Sequence, residues 1–311
     1  MKDIVTSIDV FLRRNRGLLR LQWLRNLLRP LYYRLLRLGR NGVGLEMSGT
    51  VKLRVPVEHC IKEMETYEPE TVATIAKWVA ARPGSVFIDI GCSVGYISCA
   101  VRFLDSSSDV VAVDADVPSL EVARRVCSFC PKGRGSLIFI QGLVGPFEQS
   151  SFVLDAAVKN TETKLEEFAR RHKRFETNYV CLDTTIPESA LPRFSLDDLL
   201  SSHAGMRSGK PCLVKCDVEG AENLVLAGAK CGLALRRFSM LLSVHPKGLH
   251  KYGGSVEGIR LLLAEAGYQV TVLAVDHEEH WLCEPFGATI KQCDEVKTKN
   301  VAVGGDASSK L

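Results

Sequence analysis

Residues 86–100 read VFIDIGCSVGYISCA, an apolar strand running straight into a helix, with two glycines and an acid at the join. A strand that feeds a helix through so short a turn opens a βα unit, and chains built of such units fold as a mostly parallel sheet covered on both faces. Gly91 permits the tight turn, and Gly95 lets a ligand or the sheet approach the backbone closely. The spacing is D-x-G-x-x-x-G. A phosphate-binding P-loop needs Gly-Lys-Ser/Thr here, and a dinucleotide fingerprint needs G-x-G-x-x-G; neither is present. A pyrophosphate seeks bare N–H groups at a helix start, so an acid at 89 points instead to a ligand with a cationic end.

The alternation continues along the chain. After a short strand at 51–57, helix signals cover 68–81, with Pro69 in the first turn and Arg82-Pro83-Gly84 as the stop. Strand 85–90 and helix 94–104 follow, then strand 109–114, helix 117–127 and strand 137–141. Residues 142–194 are polar and irregular, with a charged helical stretch at 162–174, and read as an insertion. Helix 196–202 follows Ser195 as its cap, then strand 212–217, helix 221–229, strand 239–245, helix 256–266 and strand 268–275. His277-Glu278-Glu279-His280 reads as a polar turn closing an antiparallel hairpin with 281–284, in preference to a metal cluster. The expected domains are a basic helical arm over 1–50, a catalytic domain over 51–290 and a disordered tail over 291–311.

In an open parallel sheet, ligands bind beyond the carboxyl ends of the strands near the point where strand order reverses. Asp89, Asp114, Asp217 with Glu219, and His245 all fall at such ends. Asp114, closing the strand VVAVD, sits where an acid accepts bonds from both hydroxyls of a ribose; that position suits a nicotinamide dinucleotide equally, and Asp89 tells against it. Three further strings complete the pattern: FSLDDLL at 194–200, LVKCDVEGAENLVLAGA at 213–229 and MLLSVHP at 240–246. Taken together with the first turn, in this order and over roughly residues 68–285, the chain resembles the FkbM family of S-adenosylmethionine-dependent methyltransferases.

The resemblance implies a Rossmann-like class I methyltransferase fold, an α/β architecture with a seven-stranded, mostly parallel sheet that closes in an antiparallel hairpin. It implies S-adenosylmethionine as cofactor and O-methylation of a hydroxyl on a sugar or glycosylated small molecule. The cofactor positions it suggests are Asp89, Gly91, Ser93, Gly95, Tyr96, Asp114, Ala115 and Glu68. Ser93 stands where the family has asparagine, Cys92 where it has alanine, and Asp114-Ala115 where it has Glu-Pro. Ser243 replaces a glutamate two residues before the histidine, so an acceptor-side carboxylate is missing.

Methyl transfer from a sulfonium is an in-line displacement in which the protein positions the partners, and a sugar hydroxyl needs help to lose its proton. Asp217 is expected to face donor and acceptor, with His245 or Glu219 taking the proton. Lys215, two residues upstream on the same strand face, either keeps Asp217 ionised or simply neutralises it in a buried pair. A divalent metal held by Asp217, Glu219 and His245 is the less favoured option. A subunit that keeps the fold without turnover is the alternative function, and Ser243 and the basic arm favour it.

Composition bears on the partners. Of the net +4, residues 1–45 contribute ten Lys/Arg against two Asp, leaving the remaining chain at about −4. A nucleic-acid partner therefore finds no basic body to bind. Residues 10–39, VFLRRNRGLLRLQWLRNLLRPLYYRLLRLG, interleave arginines with Leu, Trp and Tyr, too often for a membrane span or a cleavable signal. Two readings stay open for residues 10–40: an interfacial helix pair on an anionic membrane, or helices packed on the domain or on a second copy. Eleven cysteines without a signal peptide fit a reducing, cytoplasmic setting, peripheral at a membrane if the arm binds one. They read as small apolar residues, in preference to a zinc site built from Cys127, Cys130, Cys212 and Cys216.

Overall fold

The computed structural model describes residues 42–56, 59–146, 191–202 and 209–287. The expected helical arm over 10–40, the charged stretch 162–174 with most of the insertion, and the tail 291–311 lie outside these residues.

Seven strands form one sheet: β3 (Val86–Ile90), β4 (Asp109–Asp114), β5 (Leu137–Gln141), β8 (Cys212–Cys216), β9 (Ser239–Val244), β10 (Tyr268–Val275) and β11 (Glu279–Pro285). Their order is β10-β11-β9-β8-β3-β4-β5. β5, β4, β3, β8 and β9 run parallel, while β11 lies antiparallel between β9 and β10. This is the Rossmann-like class I methyltransferase sheet. The chain winds outward from β3 through β4 to β5, then returns to the other side of β3 as β8, so the switch point lies between β3 and β8.

Strand β3 is buried along its whole length, as a central parallel strand must be. Its period of two divides the core: Phe87 packs in the layer with Trp78, Tyr96 and Leu120, whereas Val86, Ile88 and Ile90 join Phe194, Leu226, Leu263 and Trp281 on the opposite face. The first layer comes from α1 (Pro69–Ala81), α2 (Tyr96–Leu104) and α3 (Val117–Val126). In α1, Val72, Ile75, Trp78 and Val79 repeat at helical spacing and form its buried stripe.

The first residues described form a hairpin. β1 (Val43–Met47) pairs antiparallel with β2 (Val51–Val55), with Met47, Val51 and Val55 buried. A boundary at residue 50 thus cuts through the hairpin turn, and 43–47 belong with the domain, not with the arm. β6 (Leu143–Val144) and β7 (Arg193–Phe194) pair in parallel at the two ends of the insertion.

The SLDD segment proves architectural. Ser195 and Asp198 form a reciprocal box at the start of α4 (Leu196–Ser202): the Ser195 hydroxyl accepts from the Asp198 N–H at 3.0 Å, and Asp198 Oδ2 accepts from the Ser195 N–H at 2.9 Å. Asp197 reaches across to the start of a short helix, accepting from the N–H groups of Cys231 and Gly232 at 2.8 and 2.7 Å. The helix expected over 221–229 is α5 (Glu222–Ala227); a further short helix, α6 (Lys230–Ala234), follows it, and Asp197 caps that one. Replacing Asp197 by Ala strands both donors and is expected to cost about 1–3 kcal/mol, read as a lower urea midpoint with an unchanged slope.

Candidate functional site

The loop after β3 is shaped by backbone conformations that L-residues rarely adopt. Gly91, Ser93 and Gly95 have φ of 76°, 46° and 78°. A Cβ on Gly91 would lie 1.8 Å from the Asp217 carbonyl oxygen, so only glycine lets the β3 turn lie against the end of β8. Asp114 then fastens the loop from the neighbouring strand. One carboxylate oxygen accepts from the Ser93 N–H at 2.7 Å and the other from the Asp116 N–H at 2.9 Å. Each oxygen keeps a lone pair for a ligand hydroxyl. Burial raises Asp114 to about 6, against the pull of these donors.

Other predicted cofactor positions move. Asp89 is only 1% exposed, because it is the fourth residue of a buried strand and points at α2. There it accepts from the Ser98 hydroxyl at 2.6 Å and braces the turn from below. Burial raises it to about 6, with Lys215, its register partner on β8, pulling the other way. Tyr96 is buried in the core, with its hydroxyl donating to the His59 carbonyl. The Ala115 carbonyl accepts from the Gln141 amide. Glu68 sits across the switch point beside Lys215 and Asp217, its Oε1 3.8 Å from Lys215 Nζ and its buried Oε2 without a hydrogen-bond partner.

The expected catalytic residues do converge, on a chain of alternating charges. Lys215, 3% exposed, donates to Asp217 Oδ2 at 2.8 Å. Burial works against the Lys215 charge, yet Asp217 and Glu68 more than offset it and raise its pKa. Burial likewise opposes ionisation of Asp217, and Lys215 and His245 overcome it, leaving its pKa lowered. His245 Nε2 lies 3.8 Å from Asp217 Oδ1.

Three residues missing from the sequence-based site complete it. Glu222, fully buried, faces His245 Nδ1 at 2.8 Å and accepts from the Gly220 N–H at 2.8 Å. Glu278 Oε2 faces His245 Nε2 at 2.8 Å from a side chain 6% exposed. His280, also buried, lies 3.4 Å from the Ser243 hydroxyl and 3.9 Å from Glu68. The polar turn at 277–280 is therefore only half correct: His277 is exposed, whereas Glu278 and His280 turn inward. Their alternation with His277 was the available signal. Glu219, the acid preferred in DVEGAE, is 87% exposed at φ 53°, and Glu222 of the same string is the one packed on the histidine.

A cleft of about 390 Å³ opens on this cluster, lined by Tyr67, Glu68, Asp217, Glu219, Asp276 and Glu278 among others. That volume is within the range of small-molecule sites. Asp217, Glu219 and His245 bring one ligating atom each within 4.8 Å, as do Asp276, Glu278 and His280. Both sets have the oxygen-rich donors a divalent ion requires.

No protein-family model matches the chain, and no curated protein matches its sequence. Among solved structures it is similar to magnesium protoporphyrin IX methyltransferase from Synechocystis PCC 6803 with bound SAH, at 13% identity over 69% of this chain and 81% of that one, TM-score 0.35. It is similar to methyltransferase FkbM from Methylobacillus flagellatus KT, at 14% identity over 64% of this chain and 43% of that one, TM-score 0.37. Monomeric WbdD matches at 11% identity over 74% and 42%, TM-score 0.39. These likenesses are remote, and the fold rests on the sheet order itself.

Flanked by Glu222 and Glu278, His245 is raised to about 10 although burial opposes its charge. A histidine raised from an ordinary value of about 6.5 stabilises the fold fully below that pH and loses the contribution as pH rises through its folded value. The melting temperature is accordingly expected to fall from pH 7 to 10 more steeply in the wild type than in His245→Gln. Parallel curves would show that the imidazolium is not held.

Proposed function

We propose that the chain is an S-adenosylmethionine-dependent methyltransferase acting on a hydroxyl of a sugar-like, uncharged acceptor. One observation carries the reading: at the switch point the glycine turn of β3, held by Asp114, lies directly against Asp217 and its partners Lys215 and His245. Bound S-adenosylmethionine would supply an electrophilic methyl group on a cationic sulfur. The residues fit such a ligand at two points. Asp114 keeps lone pairs for ribose hydroxyls, and the buried Glu68 Oε2, which makes no hydrogen bond and has His280 Nδ1 at 3.9 Å, offers a counter-charge to a cation.

The acidic lining of the cleft repels phosphorylated or carboxylated acceptors and leaves neutral polyols as the favoured class. Asp217, kept ionised by Lys215, orients the acceptor hydroxyl. The roles first expected for His245 and Glu219 change with the geometry. A histidine held protonated does not begin as a base, and an 87% exposed glutamate is poorly placed to fix one. Glu278, buried at the cleft wall, takes the proton, and His245 steadies the carboxylate before and after. Ser243 is no sign of lost turnover on this reading, since Glu222 and Glu278 supply carboxylates on both nitrogens of His245.

Residues 10–40, outside the described structure, are proposed to rest on an anionic membrane or on a second copy. Among the described residues no helix is long and apolar enough to cross a membrane. Sedimentation with anionic liposomes, with and without residues 1–45, distinguishes the two: membrane binding must vanish with the arm.

Calorimetric titration is expected to show binding of S-adenosylmethionine and none of NAD; the reverse outcome would sink the reading. Asp114→Ala should weaken cofactor binding by about tenfold or more, as loss of hydrogen bonds to a charged group does. Glu278→Gln and Asp217→Ala should bind cofactor normally. In a cofactor-consumption assay against sugars, glycolipids and polyketide glycosides, Glu278→Gln is expected to lose about 10²–10⁴-fold in turnover, the usual scale for a proton-transfer group. Unchanged turnover would remove Glu278 from the role.

A further inference from the structure

The Cys127-x-x-Cys130 pair does not meet Cys212 and Cys216, which point into the core on the opposite face of the sheet. It meets Cys99 instead. Cys99 lies on the buried face of α2, Cys127 follows the last residue of α3, and Cys130 comes one short turn later. The sulfurs of Cys99 and Cys130 are 3.6 Å apart, and all three lie within 4.8 Å of one another. A disulfide requires about 2.05 Å, whereas two thiolates on one zinc ion, each at about 2.3 Å, stand about 3.8 Å apart. The three sulfurs are spaced as ligands of a shared ion.

We propose that Cys99, Cys127 and Cys130 form a binding site for a thiophilic closed-shell metal ion, Zn²⁺ or Cu⁺. Among the described residues no His, Asp or Glu joins the group. An all-sulfur set selects such ions over magnesium or calcium. Three sulfurs satisfy Cu⁺ outright; Zn²⁺ would complete its tetrahedron with solvent. Cys99 and Cys127 are buried and Cys130 is partly exposed, which leaves one open side for entry and for that fourth ligand. The surroundings suit an anionic cluster. The Arg102 guanidinium donates to the carbonyls of Ser106, Ser108 and Pro131, the residue after Cys130, and so holds a positive charge beside the thiols. That charge adds to the neighbouring thiol bonds in favouring the Cys130 thiolate.

The site would pin the end of α3 to α2, next to the ligand loop. Cys127 Sγ already lies 3.6 Å from the carbonyl of Gly95, the residue that begins α2.

The test uses the full, reduced, metal-free chain titrated with Cd²⁺, followed by thiolate-to-metal charge-transfer absorption, with Zn²⁺ and Cu⁺ as competitors. One equivalent is expected to bind and to raise the melting temperature. Cys99→Ser and Cys130→Ser should each weaken binding by more than the roughly 10–100-fold that changes outside the ligand set produce. Cys60→Ser and Cys231→Ser should bind as the wild type does. Circular dichroism confirms folding, and because Cys130 is partly exposed, its serine variant is the decisive one. Absence of a charge-transfer band at one equivalent overturns the site. So does equal affinity in Cys130→Ser, or loss of binding in Cys60→Ser or Cys231→Ser instead.

Discussion

The buried ammonium of Lys215 is the charge around which the rest of the structure is arranged. A lysine in the middle of a central parallel strand is costly unless opposite charges surround it, because the desolvation penalty of a buried ion amounts to several kcal/mol. Asp217 meets it at 2.8 Å, Glu68 at 3.8 Å, and Asp89 lies beside it in register. Those three acids come from the residue after β8, the cap of α1 and β3. One cation thus draws together the elements that border the switch point, and it explains why Glu68, the left-handed cap before α1, has its side chain turned inward.

The same requirement links cofactor loop and catalytic cluster. Asp217 must leave β8 where its carbonyl meets the β3 turn, and that approach is open only to a residue without a Cβ at 91. Gly91 is therefore a condition on how the end of β8 packs as much as on the turn itself. Asp114 closes the arrangement from the other flank by holding Ser93 in an αL conformation through a 2.7 Å bond. The small residues and acids of the turn form one mechanical unit with the DVEGAE segment, 120 residues away in the chain.

Local periodicity made most of the fold legible. β4, β5, α4 and β10 fall on the residues that alternation and capping indicate, because in those segments pattern and burial agree. The hairpin at 43–55 was missed at its first strand, where the basic composition of the preceding residues drew the boundary too far. The site was legible only on the strands whose ends carry an acid or a histidine. Glu278 and His280 were hidden because their burial depends on a long-range pairing, β11 against β9, which sets His280 opposite Ser243. The alternation of Glu278 and His280 with His277 marks two faces, but only that pairing decides which of them is covered. The Cys99 partnership was hidden likewise, since it joins two helices.

The His245 cluster has a consequence for how a hydroxyl loses its proton. With Glu222 on Nδ1 and Glu278 on Nε2, the imidazolium is held firmly, so on the proposed reading it does not begin as the base. A hydroxyl that donates to Glu278 competes for the carboxylate that stabilises the Nε2 proton. On that reading, once Glu278 turns to the acceptor, His245 keeps Glu222 on Nδ1 and the more distant Glu219 and Asp217 near Nε2, and its hold on the proton weakens by the share that Glu278 supplied. On the proposed reading Glu278 takes the hydroxyl's proton while His245 keeps its own, so the imidazolium steadies the carboxylate and does not exchange a proton with it. Glu222, fully buried and anchored to the Gly220 N–H, is the fixed member that keeps the ring in place while this happens. An exposed Glu219 has no such anchorage. The division of labour among the acids of DVEGAE thus follows from where the chain turns at Gly220, with one carboxylate left in solvent and the other locked behind the histidine.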